Sequence, residues 1–458
     1  MNIIVIISDT FRYDHLGANG NAWIKTPELD VFSRMAVNFD NYYVSSFPTI
    51  PTRTDWFTGR YGFPFYGWRP LDTNATILAG ELASSGYINQ LIVDCPHMMN
   101  RGSHFDRGFH GWDWVRGQEG DTPATWLNHE VKEVVPNSKT RRSPKPFGGT
   151  LVNKHLWQNR WWDSEEDTFV ARTCRKACHW LEHNHKAEKF FLWVDCFDVH
   201  EPWDPPEYLM RLYDPDYDGP RMMHPNYGRA SDYSKAELKN MQANYAGEVT
   251  LVSKHVGRVL RMIEDLQLFD NSVVVFMADH GMYLGEHNRT GKTNISESDK
   301  RGSWPLYSEV AHIPMLFHAP GVKGGRRVKD IVQPPDIMPT LLDLAGAKVP
   351  DVVHGRSLKG LLCGRKAETP LKAAVSSPHL LAGQPKLTVT DRRWSAILSA
   401  DGHARPELYD RKTDPSQRKN LAKEESGVLR RLHREAMRFM ERVGAGDKAM
   451  ERVTKACS

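Results

Sequence analysis

Short, continuously apolar runs alternate with helical patterns over the first two thirds of the chain. The runs that we predict as β-strands are Ile3 to Ser8, Ile88 to Val93, Phe190 to Cys196, Val273 to Ala278 and Met315 to His318. Their apolar positions do not alternate with polar ones, which is typical of strands buried on both faces of a sheet. Alternating strands and helices favour a mostly parallel sheet with helices on both faces. The predicted fold class is therefore α/β.

The longest helical pattern runs from about Lys235 to Leu268, where apolar residues recur three or four positions apart. Two regions depart from the alternation. The chain from about 117 to 162 is polar and rich in proline and tryptophan, which predicts an insertion over the sheet. Later, short predicted strands (Lys386 to Thr390 and Trp394 to Ser399) precede a helix from about Ser426 to Val443. We predict a large α/β domain over 1–370 and a small α+β subdomain with antiparallel strands over 371–458.

Composition narrows the class of protein. Of 458 residues, 40% are hydrophobic and 25% charged, and the net charge is +4, too small to predict binding to nucleic acid or to a membrane. The basic run from Lys139 to Lys145 is short and flanked by prolines, which favours a solvated loop. No signal-peptide pattern follows Met1, so we predict a cytoplasmic location. The six cysteines are scattered and form no zinc pattern, and Cys174 and Cys178 fit ordinary helix positions.

Carboxylates and imidazoles follow several of the predicted strands. Because ligands bind beyond the carboxyl ends of strands in open α/β sheets, these positions are candidate site residues. They are Asp9 after the first strand, Asp94 and His97 after the second, Asp198 and His200 after the third, and Asp279 and His280 after the fourth. A single aspartate there is more often a helix cap or a turn residue. Four such strand ends favour an oxygen-rich divalent metal site with some nitrogen ligands.

A predicted helix start adds a possible anion site. Pro51 suits a first helical turn and Gly59 a helix end, which places Thr49 just before the helix N-terminus, where an anion is favoured. Arg53, one turn further, suits an oxyanion. The alternative is that Thr49 or Ile50 only caps the helix and that Arg53 is solvated.

These segments resemble the sulfatase family, within the alkaline phosphatase superfamily. Thr49-Ile50-Pro51-Thr52-Arg53, with Thr58-Gly59, is similar to the family signature C/S-x-P-S-R followed by T-G. The other similar blocks, in the family's order, are Ser8 to Gly17, Asp279 to His287 with Lys292, Tyr307 to Pro314, Asp336 to Leu342, and Glu407 to Asp410 with Asp414-Pro415 and Asn420-Leu421. The resemblance covers almost the whole chain. It implies the alkaline-phosphatase-like α/β fold with a small antiparallel C-terminal subdomain.

The resemblance also implies roles for individual residues. One divalent cation, Ca²⁺ or Mn²⁺/Zn²⁺, would be held by Asp9, Asp279 and His280, with Thr49 at its open position. Arg53 would support the nucleophile. Lys292, His200 and His97 would contact the anionic oxygens of the substrate or protonate its leaving group.

Three departures from the family pattern affect the predicted chemistry. Sulfatases convert a Cys or Ser to formylglycine, and Thr49, with a methyl group on Cβ, cannot give that aldehyde. The Lys of a common Lys-x-His pair is missing in Cys95-Pro96-His97. Thr10 follows Asp9 where many sulfatases have paired aspartates, which lowers the charge of the metal site.

The sequence therefore predicts a metal-dependent ester hydrolase without formylglycine. Thr49, as a nucleophile with one oxygen, favours phosphodiester or phosphonate cleavage, whereas the family favours sulfate ester cleavage. A catalytically weak binding protein is a third reading, although the metal ligands are kept. The predicted substrate is a small-molecule or carbohydrate anionic ester. Tryptophans in and beside the insertion would stack on sugars, or would form a small core of their own; they are Trp112, Trp114, Trp126, Trp157, Trp161 and Trp162.

Overall fold

The computed structural model describes residues 1–100, 102–121, 139–141, 150–293 and 303–457. The strands are β1 (Asn2–Ser8), β2 (Val37–Tyr42), β3 (Ile88–Val93), β4 (Gly111–Trp114), β5 (Phe190–Cys196), β6 (Gly228–Arg229), β7 (Ser272–Ala278), β8 (Tyr283–Leu284), β9 (Arg289–Gly291), β10 (Met315–His318), β11 (Arg327–Val332), β12 (Ala374–Ser376), β13 (Lys386–Thr390), β14 (Trp394–Ser399) and β15 (Glu407–Asp410). The helices are α1 (Pro27–Met35), α2 (Thr49–Thr58), α3 (Leu78–Ser84), α4 (Pro96–Met99), α5 (Leu151–Gln158), α6 (Phe169–Asn184), α7 (Glu207–Arg211), α8 (Lys235–Asp265), α9 (Ser308–Ala311), α10 (Ile337–Ala345), α11 (Lys359–Leu362), α12 (Ser426–Arg442) and α13 (Asp447–Thr454).

The largest sheet of the described residues has eight strands in the order β11-β2-β10-β7-β1-β5-β3-β4. β1 pairs in parallel with β5 and β7, and β3 pairs in parallel with β4 and β5. β10 departs from this arrangement, since it is antiparallel to both β2 and β7. The predicted mostly parallel sheet is confirmed, and the five predicted strands agree with the observed bounds to within one residue.

The centre of this sheet brings three strand ends to one edge. Every residue of β1, β5 and β7 is buried, which explains why their sequences are apolar on both faces. Because the three strands are adjacent and parallel, the residues that follow them share the carboxyl edge of the sheet. The two edge strands β4 and β11 carry polar positions, and their sequence pattern did not identify them.

Two helices have clear sequence reasons for their ends. α8 begins with a capping box, in which Ser234 Oγ accepts from the Glu237 amide at 3.2 Å and Glu237 Oε2 accepts from the Ser234 amide at 2.8 Å. α2 ends at Gly59, whose φ of 65° lies in the left-handed region that glycine adopts without steric cost. Its first residue is Thr49, so the site residues of this segment lie within one helical turn.

The C-terminal part contains a second sheet, antiparallel throughout, with the order β12-β13-β14-β15. A separate hydrophobic cluster joins this sheet to α12. It also includes Tyr61 and Phe63, whose rings lie 4.7 and 5.6 Å from that of Phe439 in α12. The C-terminal sheet therefore packs on the segment that follows α2, and the domain boundary near residue 370 stays a prediction.

The predicted insertion is described only in part. Trp157 is buried, and the ring of Trp162 packs edge-on against Phe169 at 4.9 Å, so these two contribute to a core. Trp112 and Trp161 are about half exposed, while Trp126 lies outside the described residues.

In the basic run predicted as a solvated loop, the described Lys139 and Arg141 have side chains that are 30% and 36% exposed. Lys139 Nζ pairs with Glu237 at 2.5 Å and Arg141 Nη1 lies 3.7 Å from Glu119. Arg142 and Lys145 lie outside the described residues. Among the described helices, none is both long and apolar enough to cross a membrane.

Candidate active site

Two strand-end carboxylates and one imidazole lie together at the carboxyl edge of the large sheet; we call them the cation group. Asp9 follows β1, and Asp279 and His280 follow the adjacent β7. All three are fully buried. His280 Nε2 is 3.8 Å from Asp9 Oδ1 and 3.6 Å from Asp279 Oδ2. Ligand atoms bound at about 2.0–2.2 Å to one ion are separated from one another by roughly 3 to 4 Å, so the cation group fits a divalent metal.

The tautomer of His280 is determined by its own loop. Nδ1 donates to the Gly281 carbonyl oxygen at 3.0 Å, so the lone pair of Nε2 faces the carboxylates. Burial, and then the charge of Lys292, lower the pKa of His280 to about 3, which keeps the ring neutral at neutral pH. Position 281 requires glycine for a steric reason, because a Cβ there would lie 2.1 Å from the Glu309 carbonyl oxygen.

Thr49 faces the cation group from the start of α2. Its Oγ1 lies 3.2 Å from His280 Nε2, and the helix follows Pro48, which offers no side-chain cap. Thr49 lies in the first helical turn rather than just before it. The alternative in which Thr49 only caps the helix is therefore wrong, because its hydroxyl is directed at His280.

Arg53 lies on the same side of α2 and is also fully buried. Its Nη1 donates to Asp9 Oδ2 at 2.9 Å and to Asp279 Oδ2 at 2.8 Å. Its Nη2 donates to Asp195 Oδ1 at 2.5 Å. Burial opposes its charge, yet Asp195 and the other carboxylates hold the pKa of Arg53 well above its ordinary value. A solvated Arg53 is thus ruled out, since one guanidinium fixes three carboxylates.

The expectation that all four strand-end carboxylates join one metal site is wrong for Asp94 and Asp198. Asp94 accepts from the Phe197 amide and, at 2.9 Å, from Thr173 Oγ1. Asp198 accepts from Gln118 Nε2 at 2.5 Å and from the Val170 amide at 2.9 Å. These two carboxylates tie loops and α6 to the ends of β3 and β5.

Lys292 and Thr10 adjoin the cation group. Lys292 Nζ donates to Thr10 Oγ1 at 3.1 Å and to Glu201 Oε2 at 3.4 Å. Thr10 in turn donates through Oγ1 to Asp9 Oδ1 at 2.6 Å and through its amide to Asp279 Oδ1 at 2.9 Å. The residue that replaces a second aspartate in the family pattern therefore orients both remaining carboxylates.

His200 and His97 both pack against the ring of Phe197. The centroid of Phe197 is 4.1 Å from that of His200, which stacks on it, and 5.7 Å from that of His97. His200 Nδ1 donates to the Glu201 carbonyl oxygen at 2.7 Å. Burial lowers the pKa of His200 to about 4 and lowers that of His97 as well. His97 lies in α4 after β3 and His200 follows β5, so both rings lie at the carboxyl edge of the sheet with the other predicted site residues.

Sequence reasoning missed several side chains of this edge. Asp195 lies inside the predicted third strand, and a carboxylate in an otherwise apolar run was its available signal. Glu201 adjoins His200 in sequence, which is a weaker signal. Glu119 and His224, which lie beside His200 and Glu201, carry no sequence signal that we recognise.

Comparisons with known proteins agree with this geometry. Residues 1–347 match the family described as Sulfatase, and residues 298–441 match N-sulphoglucosamine sulphohydrolase, C-terminal. An arylsulfatase of Clostridium perfringens is 26% identical, with 93% of this chain and 90% of that protein covered.

Solved structures show the same fold. A phosphonate monoester hydrolase of Agrobacterium radiobacter has a TM-score of 0.74 at 21% identity, covering 97% of this chain and 95% of that one. A protein solved with its substrate D-glucosamine-2-N,6-O-disulfate has a TM-score of 0.73 at 17% identity, covering 98% and 99%. Both likenesses support the alkaline-phosphatase-like α/β fold with a C-terminal antiparallel sheet.

The family match covers most of the chain and includes α2 and both aspartates of the cation group. Sulfatase-family members typically bind a divalent metal, and the cation group has the ligand types and distances for one. We conclude that this chain belongs to the sulfatase family and is an ester hydrolase.

Proposed function

We propose that the protein hydrolyses phosphate diesters or phosphonate esters, with Thr49 as the nucleophile and a divalent cation held by the cation group. The observation that carries the proposal is the position of Thr49 Oγ1, which lies 3.2 Å from His280 Nε2. The hydroxyl thus takes the open side of a site formed by two carboxylates and an imidazole.

Thr49 decides between the two ester classes. In the resemblance it occupies the position that sulfatases convert to formylglycine, whose hydrate has a second hydroxyl that expels sulfate by elimination. A threonine oxygen has no such partner, so its covalent intermediate must be attacked by water. Phosphorus accepts that attack when positive charge neutralises the developing anion, whereas a sulfated threonine reacts slowly with water.

The reaction then has two displacements. Thr49, its proton lost to solvent, forms the bond from Oγ1 to phosphorus, and the leaving-group oxygen departs with the electron pair of its own bond. Water next forms a bond to phosphorus and loses a proton, while Oγ1 leaves with its electron pair and regains a proton. A bound divalent cation would lower the pKa of the Thr49 hydroxyl and screen the phosphoryl charge.

Two other side chains hold the carboxylates of the cation group in place and neutralise the negative charge of the substrate. Arg53 fixes Asp9 and Asp279 through Nη1, so that the cation group keeps its shape. Lys292 uses two of its three N–H groups on Thr10 and Glu201 and offers the third to an anionic oxygen of the substrate.

His200 restricts the choice of leaving group. Since its pKa is lowered to about 4 and its Nδ1 proton is held by Glu201, its Nε2 accepts a hydrogen bond at neutral pH. Aryl esters, whose phenolate leaves without a proton, are therefore the substrates that the uncharged ring allows best.

Sulfate ester hydrolysis is the second candidate. The C-terminal match to N-sulphoglucosamine sulphohydrolase and the likeness to an arylsulfatase favour it. For either chemistry, a carbohydrate is a candidate for the alcohol, since one structural relative was solved with a sulfated amino sugar.

The test uses one preparation whose Thr49 is shown by mass spectrometry to be unmodified. Initial rates are measured with an aryl phosphodiester, an aryl phosphonate and an aryl sulfate after addition of Mn²⁺ or Zn²⁺. We expect the phosphorus esters to be hydrolysed faster. Sustained, faster turnover of the aryl sulfate would overturn the proposal in favour of the second candidate.

Thr49→Ser is the matched control for Thr49→Ala. Serine keeps the oxygen and loses only the methyl group, so it should retain most of the activity, while alanine should lose about 10³-fold or more. Equal activity of Thr49→Ala and the unaltered protein would identify water as the nucleophile.

A further inference from the structure

A second set of buried ligand-type atoms lies beside the cation group; we call Glu119, Glu201 and His224 the outer group. The side chains of Glu201 and His224 are fully buried, and that of Glu119 is 12% exposed. His224 Nε2 lies 3.9 Å from Glu119 Oε2 and 4.0 Å from Glu201 Oε1. Both distances are too long for hydrogen bonds.

His224 directs Nε2 at these carboxylates. Its Nδ1 donates to the Pro225 carbonyl oxygen at 2.9 Å, so Nε2 is the ring nitrogen left to face the carboxylates. Within the described part of the chain, Nε2 is buried without a hydrogen-bond partner. A buried ring nitrogen without a partner, facing two carboxylates, leaves polar atoms unsatisfied that an ion between them would satisfy.

We infer that a second divalent cation binds between Glu119, Glu201 and His224. Ligands about 2.2–2.4 Å from one ion, as for Mn²⁺ or Ca²⁺, are separated by roughly 3.5 to 4.2 Å when they surround it. One nitrogen and two carboxylate oxygens favour a transition ion such as Mn²⁺ or Zn²⁺ over Ca²⁺. The remaining positions would be taken by water or by oxygens of the substrate.

Two protein cations lie near the outer group. Arg141 Nη1 is 3.7 Å from Glu119 Oε1, and Lys292 Nζ is 3.4 Å from Glu201 Oε2. These contacts use the carboxylate oxygens other than those that face His224. Tyr227 donates to Glu201 Oε1, which keeps a second lone pair for a metal.

The outer group lies next to the cation group. Lys292 bridges Glu201 of the outer group to Thr10, which contacts Asp9. His200, whose Nδ1 lies 3.6 Å from Glu119 and 3.5 Å from Glu201, also borders both groups. A second ion here would add positive charge on the substrate side, where phosphoryl oxygens develop charge. This inference goes beyond the proposed function, because ion binding does not require Thr49 to react.

The stoichiometry of Mn²⁺ binding tests the second site. Chelator-treated protein is titrated with Mn²⁺, and free ion is followed by electron paramagnetic resonance. Two sets away from this edge also have metal-ligand spacing: His179, Glu182 and His183, and Glu165, Glu166 and His255. Every protein in the series therefore carries His183→Gln and Glu166→Gln. In that background we expect two bound equivalents.

Variants assign each equivalent to its group. Glu119→Gln and His224→Gln should each leave one equivalent, Asp279→Asn should leave the other, and Glu119→Gln with Asp279→Asn should leave none. Glu119→Gln keeps the test usable if the buried His224→Gln does not fold. In crystals soaked with Mn²⁺, anomalous density should lie within bonding distance of Glu119 and His224.

The outcomes separate the two claims. A single equivalent, lost in Asp279→Asn and unchanged in Glu119→Gln, would overturn the second site and leave the proposed function intact. Two equivalents without phosphorus ester hydrolysis would overturn the proposed function and leave the second site intact.

Discussion

Four aspartates follow four strands of the large sheet in similar sequence contexts, yet they serve two different purposes. Asp9 and Asp279, after adjacent β1 and β7, face the lone pair of His280 Nε2. Asp94 and Asp198, after β3 and β5, accept hydrogen bonds from amide and hydroxyl donors. The first pair accepts from Arg53 and Thr10 but also faces an acceptor, which a bound cation would satisfy. The second pair meets only donors at these contacts.

A shifted pKa does not separate the two pairs. Burial raises the pKa of Asp9, and it also raises the pKa of Asp94 and brings that of Asp198 to about 6. Perturbed carboxylates are thus found both at the candidate site and at structural positions. A facing lone pair, as opposed to donors alone, is the better guide to which carboxylates belong to a metal site.

The largest expected effect comes from removing a carboxylate of the first pair. Asp279→Ala should lose bound divalent metal and reduce kcat/KM by about 10³-fold or more, because the cation activates the nucleophile. Metal content by mass spectrometry and ester hydrolysis measure the two effects. Unchanged metal content in Asp279→Ala would contradict the assignment of the cation group.

The next largest effect is on stability, from the guanidinium that holds the first pair. Arg53→Lys should lower the free energy of unfolding by about 3–5 kcal/mol, because an ammonium cannot bond three buried carboxylates in this geometry. Urea unfolding measures it. Arg116→Lys is the control, since that Arg is 42% exposed where it pairs with Asp121 and should cost about 1 kcal/mol or less.

A smaller loss of stability is expected from removing a carboxylate of the second pair. Asp94→Ala leaves the buried Phe197 amide and the Thr173 hydroxyl without their acceptor, which should cost about 1–3 kcal/mol. Metal content should stay that of the unaltered protein. Asp94→Asn keeps one acceptor oxygen and should lose less stability, and a loss of metal in either variant would place Asp94 in the site after all.

The smallest expected effect is on the pH dependence of metal binding and on the protons released when the metal binds. Burial and Asp279 raise the pKa of Asp9 in the metal-free protein, while a cation requires the ionised form. Metal affinity should therefore fall as pH decreases through that raised pKa, and binding should release a proton there. His280, with a pKa of about 3, contributes no proton at mildly acidic pH.

Calorimetric titration with Mn²⁺ in buffers of different ionisation enthalpy measures this release. Asp198→Asn is the control, since Asp198 has a raised pKa but does not face the ion, and it should release the same number of protons as the unaltered protein. Proton release that disappears in Asp198→Asn would reverse the roles of the two pairs.

The sequence by itself determined the fold class, the main strands and the two segments that carry the chemistry. Continuous apolar runs such as Ile3 to Ser8 predict buried strands because only the centre of a covered sheet removes both faces from water. Strand-end positions then identified Asp9, Asp279 and His280, because parallel strands share one carboxyl edge.

Tertiary structure decided which of these groups face one another. Strand order places β7 beside β1, and α2 brings Arg53 and Thr49 against their ends from a distant part of the sequence. The same packing supplies donors to Asp94 and Asp198, and it assembles Glu119, Glu201 and His224 from three separate segments. Whether a carboxylate binds a metal or a loop depends on contacts between residues far apart in sequence, which local patterns do not encode.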